Sequence, residues 1–191
     1  LTPDTEYTVY ILALDAKTGK VVKAHAYPSF AKTKPVGTIV PEIELVGYYS
    51  GDEEAGSIFG QPAVTAGKAI AVVKYNVDPA ATALYSGVLE GNGMDAVEYD
   101  DVYINEMLKF NWDVVSLQQP YSFFVTTWQM EQTVFAYAED ANGGKGALGR
   151  FLLCPTAEEK GNIEDLNALV AELNGKSKAA SAHASVNVSE V

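Results

Sequence analysis

Apolar and polar positions alternate with a period of two along most of this chain, and two segments switch to the helical period. The first alternating run, TEYTVYILALD over residues 5–15, sets Tyr7, Val9, Ile11 and Ala13 against Thr8, Tyr10, Leu12 and Leu14. It predicts a strand that is apolar on both faces. AKTGK at 16–20 turns the chain and residues 21–30 return antiparallel, giving a hairpin over 5–32. A stretch rich in Pro, Gly and Thr follows at 34–41 and marks a boundary. Strands are then predicted over 43–49, 69–77, 82–90, 121–128, 133–140 and 147–154, with a turn-rich acidic segment over 51–68. AIAVVKYNV at 69–77 is the clearest of them, and Gly91-Asn92-Gly93 closes the next.

Residues 100–110 break the alternation. Asp100 or Asp101 can cap a helix there, and Tyr103, Ile104, Met107 and Leu108 share one of its faces. A second helix is capped by Asn162 and carries the stripe Ile163, Leu166, Leu169, Val170 and Leu173, with Glu164 and Asp165 in its first turn; Asn174-Gly175 is expected to stop it. ASVNVSEV at 184–191 alternates once more, as the beginning of a further strand would. The fold class is mostly β, a sandwich with a short inserted helix and a C-terminal helix.

The turns reveal a repeat. ALDAKTGK at 13–20 aligns with AEDANGGK at 138–145 at a constant offset, 140 − 15 = 125 and 145 − 20 = 125, and Val9, Ile11 and Ala13 then fall on Val134, Ala136 and Ala138.

Composition narrows the function. With 191 residues, 48% of them apolar, the chain can bury a core without metal or disulfide. Lys plus Arg less Asp plus Glu is 13 − 25 = −12, which excludes nucleic acid and anionic lipid as default partners. One cysteine, Cys154, and two histidines, His25 and His183, leave little for a disulfide, a zinc site or a nucleophile with its base. No apolar run reaches the length of a membrane span, so any anchor is expected outside these residues. The chain reads as non-enzymatic.

Leu1, Pro3, Thr5, Tyr7 and Val9, followed by Ala13 and Asp15, resemble the E-to-F corner and F strand of a fibronectin type III domain, an immunoglobulin-like sandwich. The later unit, with its long loop before 69–77, Leu84-Tyr85 and an inserted helix, is similar to the fibronectin III-like repeats of Bacteroidetes surface and periplasmic lipoproteins. It departs from that pattern in having Gln132 at the corner-tyrosine position and no tryptophan on the second strand. The resemblance implies that Tyr7 ties a corner and that residues 1–35 are the end of one unit. It also implies a linker at 36–41, a full sandwich over 42–156, and a helix and tail over 157–191. It further implies an extracellular, cell-surface or periplasmic module for adhesion, spacing or protein interaction. The hairpin is expected either to pack on the sandwich or to belong to a unit completed elsewhere.

Three sets of residues are candidates for chemistry. Trp112, Trp128 and Tyr103 could stack on sugar rings, making a carbohydrate-binding module, or could cover the ends of the core; Tyr48, Tyr49 and Tyr99 also fall near loops. Asp95, Asp100 and Asp101, like Asp52-Glu53-Glu54 and Glu139-Asp140, could offer carboxylates to Ca²⁺ or could be solvated loop acids, and no cofactor is otherwise implied. A third reading, an accessory fragment of a secreted hydrolase, requires two facing carboxylates in a cleft. Cys154 reads as a buried small hydrophobe.

Overall fold

The computed structural model describes residues 3–53 and 62–183, of which 62 and 176–183 are backbone only. It is mostly β and antiparallel. Strands β1 (Glu6–Leu14) and β2 (Val21–Lys32) form a two-stranded hairpin. A three-stranded sheet has the order β3–β4–β7, from β3 (Glu42–Ser50), β4 (Ala69–Asn76) and β7 (Tyr121–Thr126). A four-stranded sheet has the order β6–β5–β8–β9, from β5 (Ala83–Glu90), β6 (Asp113–Val115), β8 (Gln132–Glu139) and β9 (Gly149–Leu153). The helices are α1 (Pro62–Thr65), α2 (Asp101–Met107) and α3 (Ile163–His183).

Side-chain parity builds four layers. Ala71, Val73 and Tyr75 of β4 meet Leu84, Val134, Ala136 and Leu153 of the other sheet in a shared buried cluster. The Tyr75 hydroxyl spans the interface to a hydrogen bond with Ser86 of β5, so this phenol is buried with a partner. The opposite parity of β4, Ile70 and Val72, lies under Leu166 of α3 together with Tyr49. The opposite parity of β8, Phe135 and Tyr137, lies under Ile104 and Leu108 of α2. A strand buried on both faces needs a continuous apolar run, which is why AIAVVKYNV stood out in the sequence.

The residues expected to form a linker are part of this unit. From Val36 to Ile43 exposed and buried positions alternate, with Ile39 buried. Val36 bridges Lys145, and the Gly37 amide donates to the Lys145 carbonyl at 3.0 Å. A Cβ on Gly146 would come within 2.0 Å of the Ile39 carbonyl oxygen, so glycine is required for the two segments to lie this close.

Two further expectations change. The chain continues helical through Asn174-Gly175 to His183, where a stop was expected. Gly175 does not have positive φ, and a glycine in a helix costs only about 1 kcal/mol, which the Ala- and Lys-rich residues after it can offset. The three-residue β6 carries too short an alternation to be read from sequence. The expected strand at 184–191, like Glu54, Leu1 and Thr2, lies outside the described residues.

The hairpin does not share the core. Every residue of β2 is exposed, and on β1 only Tyr7 and Val9 are half-buried. Tyr7 pairs with Ala31 across the ladder. Both halves of the repeat begin their turn alike, since the Asp15 carboxylate accepts from the amides of Lys17 and Thr18 and the Asp140 carboxylate from those of Asn142 and Gly144. They differ in the residue that takes positive φ, Gly19 in one and Gly143 in the other, which are not equivalent at the offset of 125.

Candidate functional site

Helix α2 lies over the outer face of the four-stranded sheet, and the chemically varied residues gather around it. Asp100 starts the helix by accepting the Tyr103 amide at 2.8 Å, and Ile104 and Leu108 bury the helix face against Phe135 and Tyr137. Asp101 fixes the helix to the sheet, accepting from Arg150 at 2.7 Å and from the Leu148 amide at 3.0 Å. The same guanidinium donates to the Gly93 carbonyl at 2.8 Å. Its side chain is 8% exposed, so this charge is held by a buried, directional set of acceptors rather than by a surface ion pair.

At one end of the helix a cavity of about 270 Å³ opens between Tyr99, Tyr103, Met107 and the sheet residues Leu89, Glu90 and Phe135. Its edge is the Gly91–Gly93 turn. Gly93 donates to Thr133 Oγ1 at 2.8 Å, that hydroxyl donates to the Gly91 carbonyl at 2.8 Å, and a Cβ on Gly93 would strike the Phe135 ring at 2.7 Å. Tyr103 is 48% exposed and lies 6.0 Å from Tyr99 between ring centres. Hydrogen bonding to Glu98, together with that carboxylate's charge, pushes the Tyr99 phenol up from its ordinary pKa.

Trp128 sits beyond Glu90 and Gly91, on a shallower concavity with Gln129, Met130 and Glu131. The half-buried indole also packs against the inter-sheet core. Gln129 beside it has φ 62, a left-handed conformation that costs a residue other than glycine some strain. Glu90 and Gly91 line both depressions, so Tyr103 and Trp128 flank one ridge.

Trp112 lies elsewhere, in an aromatic nest. Its ring meets Tyr137 edge-on with centroids 4.9 Å apart, and Tyr137 stacks on Tyr85 at 4.7 Å. Lys145 fills the nest, its Nζ 3.4 Å from the centre of the Tyr137 ring and 5.4 Å from that of Trp112. The ammonium also donates to Asn105 Oδ1 of α2. Burial pushes the Lys145 pKa down, against the attraction of Glu139 and Asp101. The ring faces favour the charged form and oppose that shift. Burial beside Tyr85 pushes the Tyr137 phenol up to about 12.

The three aspartates named as calcium candidates turn to different tasks. Asp95 accepts from the amides of Val97 and Glu98, Asp100 caps α2, and Asp101 pairs with Arg150. Among the described residues no group of three His, Cys, Asp or Glu side chains could hold a metal ion. Of the other loop-proximal aromatics, Tyr48 and Tyr49 are buried in the core. His25 packs edge-on against Tyr27, and Cys154 is half-buried, its amide donating to the Tyr48 hydroxyl at 3.2 Å.

Sequence reasoning did not find Asn105, Lys145, Tyr85 and Tyr137 as a group. Tyr85 and Tyr137 read as ordinary strand residues, Asn105 as the polar side of a helix and Lys145 as the end of a turn. Only an approach across 145 − 105 = 40 residues brings them together.

Fold and site thus define a mostly β unit with a helix on each outer face, an aromatic cavity and a lysine nest beneath one helix. No model of a known protein family matches the chain, and no curated protein matches it.

Proposed function

We propose that the chain is a non-catalytic module of a serial, fibronectin III-like protein of the cell envelope or extracellular space, acting in spacing, adhesion or protein interaction. The observation that carries this reading is the hairpin. Tyr10 and Leu12 of β1 are 66% and 52% exposed, while their repeat counterparts Phe135 and Tyr137 are buried beneath α2. Val134, Ala136 and Ala138 are fully buried, whereas Ile11, the counterpart of Ala136, is 58% exposed. Among the described residues strand β8 is bonded to β5 on one edge and β9 on the other, whereas β1 is paired to β2 alone.

A strand apolar on both faces belongs inside layers, and a two-stranded hairpin alone is marginal in water. The hairpin is therefore the closing pair of strands of another unit, covered by chain outside these residues or by a neighbour. The strand order of the complete unit supports the immunoglobulin-like reading, because the strand after β5 joins the β5–β8–β9 sheet and the next returns to β3–β4. The cavity beneath Tyr103 has a single carboxylate, Glu90, in its lining, which favours a module that binds or spaces over a hydrolase.

A shorter chain, residues 34–191, tests this. It is expected to melt at the temperature of the full chain, whose hairpin amides exchange rapidly with solvent. A melting temperature several degrees lower would make the hairpin part of this unit and overturn the reading.

A second reading, a carbohydrate-binding module, is favoured by one observation: Tyr99 and Tyr103 on one side of the Glu90–Gly91 ridge and Trp128 on the other present aromatic surface beside Glu90, Asn92, Gln129 and Glu131. Partners would then be neutral polysaccharide, with Trp112 outside the binding surface. Among the described residues no helix is long and apolar enough to cross a membrane.

A further inference from the structure

We propose that the cavity beside Tyr103 binds a small quaternary ammonium cation, a choline-like group that carries no anion of its own. The cavity, about 270 Å³, is lined by two phenol rings, apolar side chains and one charge. Tyr99 and Tyr103 supply the rings, with centres 6.0 Å apart and planes inclined at 54°. A corner of that size leaves room for one cation within about 6 Å of both ring centres, the range over which an aromatic face attracts it. Leu89, Ile104, Met107 and Phe135 supply apolar surface for the methyl groups of the ligand. Among the described residues the single charged member of the lining is an acid, Glu90.

The polar groups at the edge of the cavity decide which cation fits. The Gly91 amide donates to the Glu131 carbonyl at 2.8 Å, and the Gly91 carbonyl accepts from Thr133. The Gly93 amide donates to Thr133, the Gly93 carbonyl accepts from Arg150, and Asn92 Oδ1 accepts from the Met94 amide at 3.2 Å. A primary ammonium entering here would give up its hydrogen bonds to water for fewer in the cavity, which is costly. A quaternary ammonium has no N–H to satisfy and turns methyl groups toward the rings and the apolar side chains. The surrounding field has the right sign. Glu98 above all, with Asp95 behind it, holds the Tyr99 phenol above its ordinary pKa, as a negative potential at the rim does. Arg150, 5.4 Å from the Phe135 ring centre, is paired with Asp101 at 2.7 Å. The same carboxylates repel an anionic substituent, so a phosphate or carboxylate attached to the ligand weakens binding. This inference goes beyond the glycan reading and does not rest on it: a glycan would lie across the ridge shared with Trp128, whereas the cation enters the cavity.

Titration of the full chain with tetramethylammonium or choline at constant ionic strength, followed by NMR, tests this. The Tyr99 and Tyr103 ring signals and the Met107 methyl signal are expected to shift saturably, with a dissociation constant on the order of a millimolar. The neutral tert-butyl analogue of choline has the same shape without the charge and should bind at least about tenfold more weakly. Phosphocholine should also bind more weakly than choline. Tyr103→Ala should weaken choline binding about tenfold, and Tyr103→Phe should retain it, because the ring rather than the hydroxyl makes the contact. Absence of a saturable shift with either cation overturns the proposal. So does equal affinity for the neutral analogue, which would make the cavity a site for any apolar group of that shape. Both comparisons use the wild-type chain, so a variant that fails to fold leaves the test intact. Retardation by neutral glycans without a response to the cations would overturn this inference and leave the glycan reading standing.

Discussion

Leu166 is the residue through which α3 covers the three-stranded sheet, and truncating it measures whether that helix is part of the fold. It is fully buried against Ile70, Val72 and Tyr49, with Ile163, Leu169 and Val170 of the same helix packed around it. Leu166→Ala removes three carbons, worth about 2.4 kcal/mol at roughly 0.8 kcal/mol per buried methylene. The cavity left behind adds to this, because β4 is held on both sides and cannot collapse into it; the total expected loss is about 3 to 4 kcal/mol. Urea titration followed by tyrosine and tryptophan fluorescence gives the number, with a lower midpoint and an unchanged slope. Leu169→Ala, half-buried, should cost about 1 kcal/mol, having less transfer energy to lose. A loss below about 1 kcal/mol for Leu166→Ala would refute the reasoning. Ile70 and Val72 would then be stable without their cover, and α3 would not be docked as described.

Two other outcomes follow from the site. If the ridge between Tyr103 and Trp128 binds neutral glycans, the protein should be retarded in affinity gels containing them, and Tyr103→Ala or Trp128→Ala should lose at least tenfold in affinity; failure of every glycan tried sinks that reading. Tyr137, whose pKa rises from 10.0 to about 12 on folding, contributes stability that is fully present below pH 10 and is lost as the pH climbs toward about 12, because the unfolded chain releases this proton first. Unfolding midpoints should fall across that window, and Tyr137→Phe should flatten the fall; an equal fall in both proteins would assign it to other groups.

Much of the fold could be read locally. Period-two alternation located eight of the nine strands of the described residues within a few residues, the two strands of the long hairpin at 5–32 among them. The strand β6 and the extension of α3 were missed for opposite reasons. Three residues carry too little pattern, and Gly175 offered a stop signal that a helix already propagating could override. The boundary at 34–41 was legible as a change in composition, but not its packing. Glycine and proline signal a linker and a close approach with the same letters, and only the Ile39–Gly146 contact distinguishes them.

The candidate site divides in the same way. Tyr103 and the Asp100 cap followed from helical spacing alone, because both depend on neighbours within one turn. By itself the sequence determined what is local: which segments extend, which turn, that charge and composition disfavour nucleic acid, and that a strand-and-turn unit recurs. Tertiary structure alone decided what depends on separation in sequence: that Trp112 faces its own Lys145 while Trp128 borders a depression, that the aspartates part company, and that Asn105 meets Lys145. Periodicity records which side of an element is apolar, whereas the partner on that side is chosen by how the layers stack.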